Sequence, residues 1–294
     1  MKIVNIIGGL GNQMLQYAYA VVLKSKNPEE KVLVDTSHFR GYGLHNGYEI
    51  GRIFGQELPT AKWWQILYVS WFFPWYKPSR VMRRIMPRRK TECIENPVFK
   101  FKEEYRNWEG NGYFEGYWHY PEIHRPYISE IRKAFTFPAF EDEKNKRIAE
   151  LMKNSDSISI HVRRGDYVEA PAFVNICTDP YYQRAIEKAL SYCEKPKVIV
   201  FSNDIDFCKK LFETYAKAIE FHYVNNNHGQ NSFRDMQLMT FAKINIIANS
   251  SFSWWGAWLN VRKDSHYTIT PEPWVNYTDS LDMIPEEWIK ISGR

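Results

Sequence analysis

Short apolar runs alternate with segments of helical periodicity over most of the chain, a pattern that predicts an α/β protein. Residues 3–7 form the first apolar run, and the turn Gly8-Gly9-Leu10-Gly11 opens a helix reaching about Ser25. Val32-Leu33-Val34 gives a second strand that ends in Asp35. Periodicity then fades through residues 36–48, which are rich in Gly, His and Tyr and read as a long loop at the mouth of a site.

The second half is more regular. Residues 157–162 alternate, with Ile158, Ile160 and Val162 on one face and Ser157, Ser159 and His161, followed by Arg163, on the other. Pro180 starts a helix whose Tyr182, Ala185, Ile186, Ala189 and Leu190 form one stripe. The continuous apolar run 198–201 reads as a buried parallel strand and leads to Ser202-Asn203-Asp204. Further strands are expected at 219–224 and 244–248, and Ser232 with Asp235 has capping-box spacing at the start of a helix. This alternation predicts a doubly wound, nucleotide-type domain. The Pro-bearing, charged stretch 137–142 is the expected boundary, giving halves 1–140 and 141–294.

At 294 residues the chain has length for two domains of ~150 residues each. Charge is uneven. The net charge is +5, yet eight basic residues and no acid lie between Leu58 and Thr91, so the remainder is acidic on balance. The basicity is therefore local, which argues against a nucleic-acid partner. The same region holds eight aromatics in the fourteen residues 63–76. A segment of this composition suits either an anionic membrane surface or a helical lid whose aromatics are core. The four cysteines lack metal-ligand spacing and read as reduced thiols of a cytoplasmic protein. No apolar run approaches the ~20 residues of a membrane span.

Three constellations point to a phosphate-bearing ligand. His161-Val162-Arg163-Arg164-Gly165-Asp166-Tyr167 begins where a strand ends, the place where open α/β sheets bind ligands. Two arginines there can grip a diphosphate through charge-assisted hydrogen bonds, or they form an internal bridge with Asp166. Ser250, Ser251, Phe252 and Ser253 lie at a strand-to-helix turn, where hydroxyls and helix dipole favour an anion, although serine also serves there as a plain cap. The glycine turn precedes Asn12 and Gln13, whose amides suit a polyhydroxy ligand. Met14 stands where a dinucleotide fingerprint needs a small residue. Asp204-Ile205-Asp206 has the spacing of a metal site, but Asp206 is expected to cap a helix.

Taken in order, Gly8-Gly9-Leu10-Gly11-Asn12-Gln13, His161-Val162-Arg163-Arg164-Gly165-Asp166-Tyr167 and Ser251-Phe252-Ser253-Trp254-Trp255-Gly256-Ala257-Trp258 resemble the bacterial α-1,2-fucosyltransferases, glycosyltransferase family 11. The resemblance covers nearly the whole chain. It implies a GT-B-like α/β fold, two Rossmann-like halves facing an interdomain cleft. Residues 1–140 would serve the acceptor and carry the segment 61–90, and residues 141–294 would bind the donor, GDP-β-L-fucose. The implied reaction is inverting transfer to the 2-hydroxyl of a terminal galactose in an oligosaccharide or glycolipid, in cell-surface polysaccharide or O-antigen synthesis. No metal is required, so Asp204 and Asp206 would hold none.

Residue by residue, the resemblance implies that Arg163 grips the donor diphosphate, with His161 and Arg164 as its neighbours and Asp166 as the acid of the motif. It places Asn203 and Asp204 along the nucleotide, Ser232, Arg234 and Asp235 near it, and Ser250, Ser251, Phe252 and Ser253 at the phosphates. Asp166, His161, Glu169 or the departing phosphate oxygen is left to accept the acceptor's proton. Apart from the resemblance, the cysteine pattern points to the cytoplasm, and the basic, aromatic composition of residues 63–90 suits contact with the inner face of the membrane. A different GDP-sugar transferase, a metal-dependent one, and a non-catalytic nucleotide-sugar binder stay open on the residues alone.

Overall fold

A computed structural model describes residues 1–165, 169–263, 265–277 and 282–294. They divide into two units, Met1–Pro138 and Ala139–Arg294. In the first, strands β1 (Lys2–Asn5), β2 (Val32–Asp35), β3 (Glu92–Ile94) and β4 (Gly112–Glu115) form a wholly parallel sheet in the order β2-β1-β4-β3. The chain passes from β1 to one side for β2 and later returns to the other side for β4. The glycine turn after β1 therefore lies at the point where strand order reverses. Gly8 has φ +97°, a left-handed conformation that favours glycine, and the helix Leu10–Lys26 follows.

The second unit holds β5 (Asp156–Val162), β6 (Pro196–Ser202), β7 (Glu220–Val224), β8 (Ile244–Ile246), β9 (Tyr267–Glu272) and β10 (Ile289–Ser292). All run parallel in the order β10-β9-β8-β5-β6-β7. Strand order reverses between β5 and β8. Ile158, Ile160 and Val162 pack beneath the helix Asp179–Leu190, which buries Tyr181, Tyr182, Ala185, Ile186 and Ala189, the expected stripe apart from half-buried Leu190. The opposite face of β5 is buried too, because the helices Glu143–Lys153 and Phe233–Met239 cover that side of the sheet. Its polar residues are satisfied inside: Ser157 Oγ donates to the Met152 carbonyl, and Ser159 Oγ accepts from Asn245 Nδ2 at 2.9 Å.

Two sequence expectations are corrected. Asp204, not Asp206, caps the helix Ile205–Leu211, its carboxylate accepting from Phe207 N at 3.1 Å. Ser232 and Asp235 form no capping box: Ser232 makes no side-chain cap, and Asp235 accepts from Asn227 Nδ2 at 2.7 Å instead.

Residues 61–90 contain two helices, Trp63–Val69 and Tyr76–Ile85. Gln65, Ile66 and Val69 turn inward, and Ile66 and Val69 pack with Ile3, Leu33 and Tyr113 of the sheet. Trp63, Trp64, Tyr68 and Trp75 are exposed, so core filling does not explain these aromatics. Among the described residues no helix is long and apolar enough to cross a membrane.

Candidate active site

The chain leaves β5 at Val162 and turns sharply through Arg163, Arg164 and Gly165. Asn203, just past the end of the neighbouring β6, holds this turn: its Oδ1 accepts the Arg164 backbone N–H at 3.0 Å. Gly165 has φ +66°, and a Cβ there would lie 3.0 Å from the Asn203 amide nitrogen. Glycine therefore allows both the backbone twist and the close approach.

Arg164 is fixed from two sides. Its Nε meets Asp204 Oδ2 at 3.2 Å, and its guanidinium lies 3.7 Å from the centre of the Phe207 ring. Asp204 thus joins two tasks, capping a helix and orienting an arginine. Its partnership with a cation and a backbone amide, and the 90% exposure of Asp206, make the Asp-Ile-Asp sequence poor in metal-ligating geometry.

Arg163 and Arg164 border a cleft of about 390 Å³ whose other walls include Phe173, Asn175, Thr178, Phe207 and Asn249. That volume falls within the roughly 300–1,000 Å³ of small-molecule pockets. The cleft opens at the carboxyl end of β5 beside the residues that follow β8, the strand-order reversal of this unit. Buried Tyr182 lines it and donates to the His161 carbonyl at 3.2 Å, and the neighbouring Tyr181 donates to the Ile247 carbonyl at 2.5 Å.

The serine-rich turn joins the same end of the sheet. Ser250 caps the helix Ser251–Trp258 by accepting from Phe252 N, and the Phe252 ring lies 5.8 Å from the His161 ring. Ser253 is corrected: it is fully buried, and its hydroxyl faces the carbonyls of Ala248 and Ser250, each at 3.3 Å, leaving nothing for a phosphate.

His161 is enclosed, and burial, aided by the nearby Arg163 charge, pushes its imidazole down to about 3. The ring is therefore neutral near pH 7 and a weak proton acceptor, which removes it from the candidate bases. Glu169 is exposed. Asp166 and Tyr167 lie outside the described residues.

Ser232, Arg234 and Asp235 form a separate cluster that does not line the cleft. Arg234 donates to Gln237 Oε1 at 2.7 Å and lies over the rings of Phe233 and Phe140. Asp235 and Asn227 continue into Asn145, which also binds the capping Asp142. Burial raises the Asp235 carboxyl to about 7 against the opposing Asn227 bond. These residues tie loop to helix, a structural role that their spacing in the sequence does not convey.

In the first unit, Gln13 is also corrected. It is fully buried, donates to the carbonyls of Gly8 and Gly47, and accepts from Glu49 N. It staples the glycine turn to the 36–48 loop and does not present its amide outward. Asn12 is half-buried, with its side chain 3.2 Å from the position a Gly8 Cβ would take.

Reasoning from sequence missed Phe207, Asn175 and Asn249. Phe207 had no usable signal, because its place beside Arg164 follows from the cap at Asp204, whereas the sequence pointed to a cap at Asp206. Asn175, at φ +60°, had none.

Comparison with known proteins fits this geometry. Residues 77–292 match the model of "Glycosyl transferase family 11". An Escherichia coli "Alpha-1,2-colitosyltransferase" is 30% identical, the alignment covering 98% of each chain. The Escherichia coli "O-antigen biosynthesis glycosyltransferase WbnK" is 28% identical over 97% of this chain and 98% of its own. Mouse "Galactoside alpha-(1,2)-fucosyltransferase 2" is 25% identical over 98% of this chain and 77% of its own. Among solved structures, the fucosyltransferase NodZ from Bradyrhizobium aligns with TM-score 0.51 at 15% identity, covering 87% of this chain and 90% of that one. The last likeness concerns the fold, two parallel-sheet halves of the GT-B kind. With the family model matched across most of its length and a relative of 30% identity aligned end to end, the chain belongs to glycosyltransferase family 11.

Proposed function

We propose that this glycosyltransferase moves L-fucose from GDP-β-L-fucose to the 2-hydroxyl of a terminal galactose, with inversion at the anomeric carbon. Its product would enter cell-surface polysaccharide or O-antigen. The observation that carries this reading is the paired arginine turn at the end of β5, where Arg164 is immobilised by Asp204 and Phe207 beside Arg163. α-1,2 specificity draws support from the names of the relatives.

As the glycosidic bond to the β-phosphate lengthens, the sugar gains oxocarbenium character and negative charge accumulates on the departing oxygen. A guanidinium held at that oxygen stabilises the charge more in the transition state than in the ground state. Arg163 takes this role, and Arg164 neutralises the remaining diphosphate. Phe252 packs His161 in place. Proton removal from the acceptor hydroxyl falls to Asp166, to Glu169 or to the departing phosphate oxygen itself. Two cationic side chains make a divalent ion unnecessary in this scheme.

The test is incubation with GDP-fucose and lactose, with and without EDTA. EDTA-insensitive fucosylation of lactose supports the reading, and EDTA-sensitive turnover overturns its metal-free form. A second donor is favoured by one observation, the colitosyltransferase name of the 30%-identical relative. Colitose is L-fucose without its 3-hydroxyl, so a donor competition distinguishes the two.

A further inference from the structure

The helices Trp63–Val69 and Tyr76–Ile85 carry a second apolar surface that no part of the described chain covers. On the first helix, Trp63, Trp64, Leu67 and Tyr68 are all exposed. Their i, i+1, i+4, i+5 spacing gathers them into one stripe, opposite the inward Ile66 and Val69. Trp63 is 60% exposed and Tyr68 62%. On the second helix, Val81 and Ile85 are exposed one turn apart, Ile85 at 70%, and Lys77, Arg80 and Arg84 share their side. Exposed large apolar groups in this density are unusual for a surface facing only water.

The platform is held by groups other than those it displays. Arg89 donates to the carbonyls of Leu67, Tyr68 and Ser70, closing the end of the first helix. Arg83 pairs with Glu92 and Glu115, which fixes the second helix to the sheet. Two of the eight basic residues are thus structural. Lys62, Lys77, Arg80, Arg84, Arg88 and Lys90 remain exposed in the same segment as the aromatic stripe, with no acid between Leu58 and Thr91.

We propose that this face docks on an anionic lipid bilayer, its tryptophans and aliphatic side chains entering the headgroup boundary and its lysines and arginines meeting lipid phosphates. Tryptophan and tyrosine favour that boundary, where ring and polar tip are both accommodated. Cations beside the apolar stripe add attraction to anionic headgroups. A protein partner would need a matching acidic surface around an apolar groove. A bilayer supplies both features continuously and needs no complementary shape.

The test is flotation of the full chain with vesicles of phosphatidylglycerol and phosphatidylcholine in equal parts, against vesicles of phosphatidylcholine alone. Binding is expected to the anionic vesicles and to fall with added salt. In Arg80→Glu/Arg84→Glu the partition coefficient should drop about fivefold or more for each charge removed. In Trp63→Ser/Trp64→Ser it should drop roughly tenfold or more. All four side chains are exposed, and circular dichroism and thermal unfolding confirm that each variant folds. Equal flotation with neutral vesicles, or wild-type flotation by both folded variants, overturns the proposal. So does failure to float combined with a dimer that the tryptophan substitutions dissociate, which would assign the face to a second copy of this chain. Flotation is read without turnover, so its result is independent of the proposed reaction.

Discussion

At the scale of single residues, the candidate site rests on a division between side chains that hold the turn and side chains that face the cleft. Arg163→Ala should lower kcat roughly 10²–10³-fold while leaving the unfolding temperature near that of the wild type. Steady-state kinetics with calorimetry checks both, and near-normal turnover would remove Arg163 from its proposed role. Gln13 lies on the holding side of the first unit. Gln13→Ala leaves two carbonyls and one buried N–H without their partner and should cost about 1–3 kcal/mol in urea unfolding. Asp235 gives a pH signature. Its carboxyl is raised to about 7 in the folded protein, so the protonated form is the favoured one. Its stabilising effect is full below the unfolded value near ~4 and is lost as pH rises through about 7. Asp235→Asn should match the wild type in the acid range and become progressively more stable than it as pH rises to 7, in paired melting curves.

At the scale of elements, six of the ten strands of the described residues are anticipated from the sequence, β3, β4, β9 and β10 are not, and helix starts are misassigned at two places. Alternation marks β5, and an unbroken apolar run marks β6, because both must bury side chains against flanking helices. Cap assignment failed at Asp206 and Ser232 for one reason. Several polar residues sit within a turn of each helix start, and tertiary partners decide among them: Arg164 draws in Asp204, and Asn227 draws in Asp235. The serine turn was legible as a helix start, but which hydroxyl faces outward depends on the Ala248 carbonyl beneath Ser253. Helix packing there is tight. A Cβ on Gly256 would lie 2.7 Å from Met239 Cβ, so Gly256→Ala should destabilise by about 1–3 kcal/mol in thermal unfolding.

At the scale of the whole molecule, the doubly wound second half and three short motifs were legible from periodicity, glycine placement and charge, whereas the sheet of the first half was anticipated only through the family resemblance. The contents of residues 61–90 were not legible, because a two-faced helix gives the same composition whether its second face is buried or bare. The central claim concerns chemistry. The measurement that reaches it most directly is nuclear magnetic resonance of the product formed from GDP-β-L-fucose and lactose, read for linkage and anomeric configuration. Inverting α-1,2-fucosyl transfer predicts an α-fucosyl residue on the galactose 2-hydroxyl. A β-linked product, or fucose on any other hydroxyl, would contradict it.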